Sequence, residues 1–329
     1  MSVAERIGAI RPDPSDQSPL RIDEALVRKM LVAFLREETK KSGHRRVVVA
    51  VSGGVDSAAV AALAAETFGP ENVTALFLPY RTSDALSREH ARLVAKTFGI
   101  ALEEIDITPQ VDAYLGRLGD VDRVRRGNKM ARERKSIEYD RAWPDGLVLG
   151  TSNKTELLLG YGTRHGDMAC DLNPVGDLYK TQLREMSVLL GVPDVIVRKA
   201  PSADLWEGQT DEGELGFTYA QADLILYHLV DRRLRPSELI AAGFDAALVN
   251  NIRERVRRSH YKRVMPLIGP AARSRPKPSQ RAEPRPSSRR GRLARGAPRS
   301  APHQLLPRHP LFVSRLDTHW RSRPHRALG

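Results

Sequence analysis

Residues 47–63, VVVAVSGGVDSAAVAAL, constrain the chain more than any other stretch. Val47 to Val51 is a short β-branched run between polar flanks, the pattern of a strand buried on both faces. Ser52-Gly53-Gly54-Val55-Asp56-Ser57 follows, and then alanine-rich residues of good helix propensity. Two adjacent glycines let the chain turn sharply and let a ligand approach the backbone. Amides at the turn and at the helix N-terminus then face an anion, and the helix dipole adds to the attraction. Phosphate is the expected guest. Asp56 repels phosphate unless a cation lies between them, so it reads as a Mg²⁺ ligand. A plain capped strand-to-helix connection accounts for the Gly-Gly pair but not for the whole Ser-Gly-Gly-x-Asp-Ser pattern. No Lys follows the glycines, which excludes the GxxxxGK[ST] loop.

Read in order, residues 1–20 are proline-rich, polar and expected to be flexible. Ile22 to Thr39 carries Ile22, Leu26, Met30, Ala33 and Phe34 at helical spacing, which predicts an amphipathic helix. Val73 to Pro79 and Leu102 to Ile107 read as further strands, and Phe68-Gly69-Pro70 and Gly99 as helix stops. Thr108-Pro109 predicts a capped helix with proline in its first turn. Residues 117–128 read as a polar, basic connection before a helix from about Lys129 to Ala142. Leu147 to Gly150 is a fourth strand, and helices dominate after Lys180, around 179–190, 218–232, 236–242 and 245–258. The alternation predicts an α/β fold, a parallel sheet with helices on both faces and a helical C-terminal half. Ligands in such sheets bind beyond the carboxyl ends of the strands. Ser52–Ser57, Arg81–Ser83 and Thr151–Glu156 all follow strands, so they are expected at one edge.

The net charge of +13 is carried by one segment. Residues 271–329 hold 15 of the 53 Lys and Arg but only 2 of the 40 Asp and Glu, so the remainder is balanced. The charge therefore gives no reason to expect a specific nucleic-acid surface on the rest of the chain. Residues 21–268 read as the catalytic domain and 269–329 as a basic Arg/Pro-rich tail that cannot bury enough apolar surface to order itself. No run of about 18 apolar residues suggests a membrane span, and no apolar stretch near Met1 suggests a signal peptide. A single cysteine, Cys170, points to a cytoplasmic protein.

Two loops in the second half carry polar chemistry. Leu149-Gly150-Thr151-Ser152-Asn153-Lys154-Thr155-Glu156 places a carboxylate where it could join Asp56 on a metal, although a solvated helix Glu is the commoner case. Gly160 to Asp171 has the glycines and charges of a binding loop. Lys180, near a helix start, would ordinarily be a surface lysine. Ala200 to Glu212 is a further polar loop.

The elements SGGVDS, RRGNKMARER, LGTSNKTE, GD…D…NP, KAPSADLWEGQTDE and SHYKR occur in family order between about residues 22 and 266. Together they resemble the ammonia-dependent NAD synthetases of the ATP pyrophosphatase (PP-loop) family. The resemblance implies an adenine nucleotide alpha hydrolase-like fold and a homodimer with the dinucleotide site at the subunit interface. It implies that Ala50, Val51, Ser52, Gly53, Gly54, Val55, Asp56 and Ser57, with Thr151, Lys180 and Ser202, bind ATP. It places Mg²⁺ on Asp56 and Glu156, and deamido-NAD on Arg132, Arg164, Asp171, Tyr261 and Lys262. Asp56 and Lys180 would be catalytic. Arg164 stands where Lys is frequent, Ser202 where Thr is frequent, Met168 and Ala169 where glycines are frequent, and Lys135 where the residue is apolar. The SHYKR match is the loosest.

The implied reaction suits these residues. A nicotinic acid carboxylate attacks the α-phosphorus of ATP, pyrophosphate leaves, and ammonia displaces AMP. Such transfer needs positioning and charge neutralisation rather than a protein nucleophile. Some NAD synthetases carry an N-terminal glutaminase domain; with 46 residues ahead of the first strand here, ammonia rather than glutamine is the expected nitrogen source. Two other readings are a tRNA-modifying adenylating enzyme of the same family and a catalytically silent ATP-binding sensor.

Overall fold

The structure, a computed structural model, describes residues 12–202 and 210–266. The chain divides into two units, Met1–Ile268 and Gly269–Gly329. The reading of 269–329 as a disordered tail, and that of the loop at 203–209, lie outside the described residues.

Helix α1 (Glu24–Ser42) leads into β1 (Arg46–Ala50), and α2 (Val55–Phe68) into β2 (Val73–Phe77). Then come α3 (Ala85–Phe98), β3 (Ala101–Glu104), α4 (Thr108–Leu115), α5 (Arg123–Ala142) and β4 (Gly146–Val148). The four strands are parallel in the order β3-β2-β1-β4. Parallel strands buried on both faces need no polar alternation, and β1 shows why its sequence is a continuous valine run. Val47 and Val49 pack with α2 on one face, while Val48 joins Leu76, Val148, Ile107 and Met130 on the other. Residues Val55 to Ala64 are buried except Asp56, so α2 is a core helix and tolerates alanine on every side.

The second half is helical: α6 (Lys154–Leu159), α7 (Lys180–Leu189), α8 (Asp194–Val197), α9 (Asp211–Leu215), α10 (Tyr219–Leu226), α11 (Pro236–Ala241) and α12 (Ala246–Ser259). It builds its own apolar cluster around Leu224, Ile225, Leu239 and Ile252. Leu20 is buried in that cluster and its carbonyl accepts a hydrogen bond from Gln182 at 2.9 Å, so residues 18–20 are fixed rather than flexible.

Several local expectations change. The stripe Leu26, Met30 and Phe34 of α1 faces outward, while Leu35 is fully buried with Val27, Leu31 and Val32 packed beside it. The helix carries two apolar stripes, and periodicity alone does not say which one meets the core. Helix α5 starts six residues early, because the Asp122 carboxylate caps the Arg125 N–H at 2.9 Å. Thr108 does not cap α4: its hydroxyl accepts from Arg81 N–H, and Asp106 holds the Thr108 N–H. Strand β3 stops at Glu104 instead of continuing to Ile107. Helix α10 ends in a π-turn at Tyr227–Asp231, and the last two residues of the expected loop, Asp211 and Glu212, open α9.

Two buried polar arrangements hold helices in place. On α5, Lys135 Nζ lies 2.7 Å from Glu138 Oε2, with both side chains buried against the cavity described below. Burial pushes the Glu138 carboxyl up, and Lys135 opposes that shift. On α10, Asp223 is fully buried and accepts from the Thr155 hydroxyl at 2.5 Å, the Thr181 N–H at 2.8 Å and the Thr181 hydroxyl at 2.8 Å. Thr155 Oγ1 in turn accepts from Lys180 N–H at 3.0 Å. One carboxylate thus ties α6, α7 and α10 together.

Breaking the α5 pair on one side strands a buried charge, which costs about 3 kcal/mol. Lys135→Met is expected to lower stability by that amount at neutral pH in urea unfolding, and Lys135→Met/Glu138→Leu to recover most of it. Burial pushes Asp223 up to about 6. A raised carboxyl binds its proton more tightly in the folded state, so its contribution is whole below about pH 4 and lost as pH rises through 6. The loss is about 3 kcal/mol for roughly two pK units. Asp223→Asn cannot titrate and lacks an acceptor, so it is expected to be less stable than wild type, with the gap narrowing between pH 4 and 6 in Tm measurements.

Candidate active site

Strand order reverses direction at β1, with β2 on one side and β4 on the other. The segments that leave the carboxyl ends of β1 and β4 diverge there and open a crevice. A cavity of about 910 Å³ occupies it. The turn after β1 forms one wall. Ser57 Oγ donates to Gly54 O at 3.0 Å and accepts from Ser52 N–H at 3.1 Å, which fixes the loop's curvature. Gly53 has φ +78°, and a Cβ there would collide with the backbone carbonyl of Ser87, so α3 can rest on the turn only because residue 53 is glycine. Gly54 is the N-cap of α2 and supplies no capping side chain, leaving the first-turn amides without one.

The opposite wall comes from the segment after β4. Asn153 and Glu156 form a capping box at the start of α6, with Glu156 N–H on Asn153 Oδ1 at 3.0 Å and Asn153 N–H on Glu156 Oε2 at 3.2 Å. The Asn153 side chain also donates to Asp56 Oδ1 at 3.0 Å. A cap thus aims Glu156 and braces Asp56 across the crevice.

Lys180, the first residue of α7, sits between these carboxylates. Its Nζ is 2.5 Å from Asp56 Oδ2 and 3.3 Å from Glu156 Oε1, and it lies 5.1 Å from the centroid of the Tyr219 ring. At 4 % exposure it is no surface lysine. Burial alone would depress its ammonium, but Asp56 and Glu156 outweigh burial and hold it above its ordinary value. Burial pushes Glu156 up; Lys180 opposes the shift and Asp56 adds to it. Tyr219 and Tyr161 donate to the buried Asp211 carboxylate at 2.9 and 3.0 Å, closing the acidic side.

Two carboxylates that converge on one cation position suit a hard oxygen-seeking ion. Such an ion takes its other ligands from phosphate and water. Among the described residues no cluster of three or more His, Cys, Asp or Glu is placed to hold a metal by itself.

The expected residues divide into two groups. Ala50, Val51, Ser52, Gly54, Val55, Asp56, Ser57, Thr151, Glu156, Lys180 and Ser202 line the cavity, with Gly53 buried behind the turn. Of Arg81–Ser83 only Ser83 reaches it, since Arg81 pairs with Asp112 at 2.9 Å. Among the residues expected on the dinucleotide, only Lys262 lines the cavity, donating to the carbonyls of Gly160 and Gly162 at 2.8 Å each. Arg132 is exposed and its Nε donates to Arg164 O at 3.2 Å, while the Arg164 guanidinium lies 5.9 Å from the centre of the exposed Tyr261 ring. Asp171 is exposed and accepts from Val148 N–H at 2.8 Å. Arg134, Lys135, Glu138, Asp167, Lys199 and Asp211 also line the cavity and carried no role in the sequence reading. Burial pushes the Cys170 thiol above its ordinary value, so it is no poised nucleophile.

This geometry finds its counterpart in known proteins. Residues 27–266 match the NAD synthase family model. The chain is 56% identical to the NH(3)-dependent NAD(+) synthetase of Trichlorobacter lovleyi over 252 residues, covering 76% of this chain and 92% of the relative. Among solved structures, NMN synthetase from Francisella tularensis superposes with a TM-score of 0.68 at 33% identity, covering 76% of this chain and 99% of that one. The NH3-dependent NAD synthetase from Campylobacter jejuni gives 0.65 at 32% identity, covering 76% and 100%. With the family model matched over most of its length and a relative more than half identical, the chain belongs to the NAD synthase family.

Proposed function

We propose that this protein converts deamido-NAD to NAD with ATP and ammonia, through an adenylated intermediate. The observation that carries this reading is the meeting of Asp56, Glu156 and Lys180, from three distant segments, at the mouth between β1 and β4. The turn from Ala50 to Ser57 offers uncapped amides and two hydroxyls to the ATP phosphates, with Thr151, Lys180 and Ser202 lining the same space. Mg²⁺ held by Asp56 and Glu156 would supply neutralisation of phosphate charge. The substrate carboxylate oxygen bonds to the α-phosphorus as the bridging bond breaks and pyrophosphate departs. Ammonia then adds to the acyl carbon, loses a proton, and AMP leaves with its phosphate oxygen. The preorganised ammonium of Lys180 faces charge that develops on phosphate oxygens, where a fixed cation in a dry site counts most.

Arg132, Arg164, Asp171, Tyr261 and Lys262 would hold the dinucleotide. Four of these lie outside the cavity, and α5 exposes Tyr139, with the exposed Trp143 directly after its last residue. Both features fit a homodimer in which a second copy completes the dinucleotide site. No helix among the described residues is long and apolar enough to cross a membrane, which agrees with a cytoplasmic enzyme.

The test is AMP and pyrophosphate release by the purified full chain with ATP, Mg²⁺ and ammonium, comparing deamido-NAD with its mononucleotide counterpart. The mononucleotide matters because one structural relative is an NMN synthetase. Turnover is expected with deamido-NAD; a preference for the mononucleotide, or turnover of neither, overturns the reading. Ammonium is expected to support the reaction and glutamine alone to fail. Asp56→Asn and Glu156→Gln should each lower the rate by about 10²–10³-fold. Each also leaves the buried ammonium of Lys180 short of a partner, so Tm should fall by several degrees.

A further inference from the structure

The cations of the cavity are committed to different extents. Lys135 and Lys180 face carboxylates, and Lys262 donates to two backbone carbonyls. Lys199 differs. Among the described residues its Nζ makes one hydrogen bond, to the hydroxyl of Ser87 at 3.2 Å, a neutral partner. It lies just beyond α8, half-buried, and lines the same cavity as the β1 turn.

Its position follows from contacts already described. Ser87 is in the first turn of α3, and its backbone carbonyl occupies the space a Cβ on Gly53 would need. The Lys199 ammonium is therefore tethered to the residue that rests on the phosphate turn. The Asp84 carboxylate already caps α3 through Leu86 N–H at 2.9 Å, so α3 contributes position there rather than free amides. The free amides belong to the first turn of α2. Asp56, in the first turn of α2, is already neutralised by Lys180, whereas the Lys199 ammonium has no acidic partner among the described residues. A fixed ammonium held next to the turn by Ser87 is placed to donate charge-assisted hydrogen bonds to the phosphates of a nucleotide bound there.

We infer that Lys199 binds the β- and γ-phosphoryl groups of ATP and holds the departing pyrophosphate. This rests on the proposed function and names a further residue for it. The hydrogen bond to Ser87 is then a resting tether that keeps the ammonium beside the turn.

The experiment measures calorimetric binding of inorganic pyrophosphate and of AMP, at saturating Mg²⁺, to the full chain and to Lys199→Gln, Lys199→Met, Lys199→Arg and Ser87→Ala. Steady-state KM values for ATP and deamido-NAD are measured alongside. Lys199→Gln keeps a donor for Ser87 and removes the charge. It is expected to weaken pyrophosphate about tenfold, the size of one charge-assisted hydrogen bond, and to raise KM for ATP similarly. AMP affinity and KM for deamido-NAD should change less than twofold. Lys199→Arg should recover most of the loss, and Lys199→Met should match Lys199→Gln. Wild-type pyrophosphate affinity in Lys199→Gln overturns the inference. So does an equal loss for AMP, or the same defect in Ser87→Ala, which would reduce the contact to a structural tie. If the wild type turns over no deamido-NAD, the proposed function fails, while the pyrophosphate titrations still decide the role of Lys199.

Discussion

The buried carboxylate of Asp223 is the joint on which the site is hung. It takes three hydrogen bonds from Thr155 and Thr181, and Thr155 takes the first amide of α7. Those bonds fix how the starts of α6 and α7 face each other. Glu156 follows Thr155 by one residue and Lys180 precedes Thr181 by one, so the alignment of two helix starts decides whether acid and ammonium meet. Burying a carboxylate is unfavourable unless its lone pairs are satisfied, and here three donors from two helices satisfy them. Geometry at the candidate site is thus maintained by a polar knot one residue away from Glu156 and Lys180.

The clamp of Lys180 on Asp56 and Glu156 has a different energetic character. A buried ion pair contributes little net stability against an apolar replacement, because desolvation offsets the Coulomb gain. What it does is hold three side chains in one arrangement before any substrate arrives. Reorganisation that would otherwise accompany binding is completed on folding, which is the condition for strong electrostatic stabilisation in a dry cavity. The Lys135–Glu138 pair is a second case of the same trade, placed on α5 at the cavity wall.

Much of this was legible in the sequence because short-range chemistry dictates it. The valine run, the two glycines and the Asp-Ser after them require a buried strand, a sharp turn and an uncapped helix start, whatever surrounds them. The strand order was not legible, since parallel pairing is set by packing between distant segments, and it is the order that brings Thr151–Glu156 beside Ser52–Ser57. Which stripe of α1 meets the core was not legible, because two apolar faces share one helix. Asp223 went unremarked although an acid inside the apolar run YAQADLILYHLV is a signal in itself: such a residue is buried only when paired. Lys199 had no signal, because what sets it apart is three-dimensional: among the described residues its ammonium meets a hydroxyl and no carboxylate.

The grip of Lys262 on the carbonyls of Gly160 and Gly162 spans 102 and 100 residues of sequence, and Arg263 reaches back as far to Leu157 and Leu158. Contacts so remote along the chain close late, since loop entropy must be met before they form. During synthesis the sheet and the phosphate turn can assemble while the last helices are still being made. The rim beside Gly160 cannot, until residue 263 has emerged from the ribosome. A nascent chain stalled before that point would carry the turn after β1 without the finished rim, a cavity still unbraced on the side of Gly160 and Gly162.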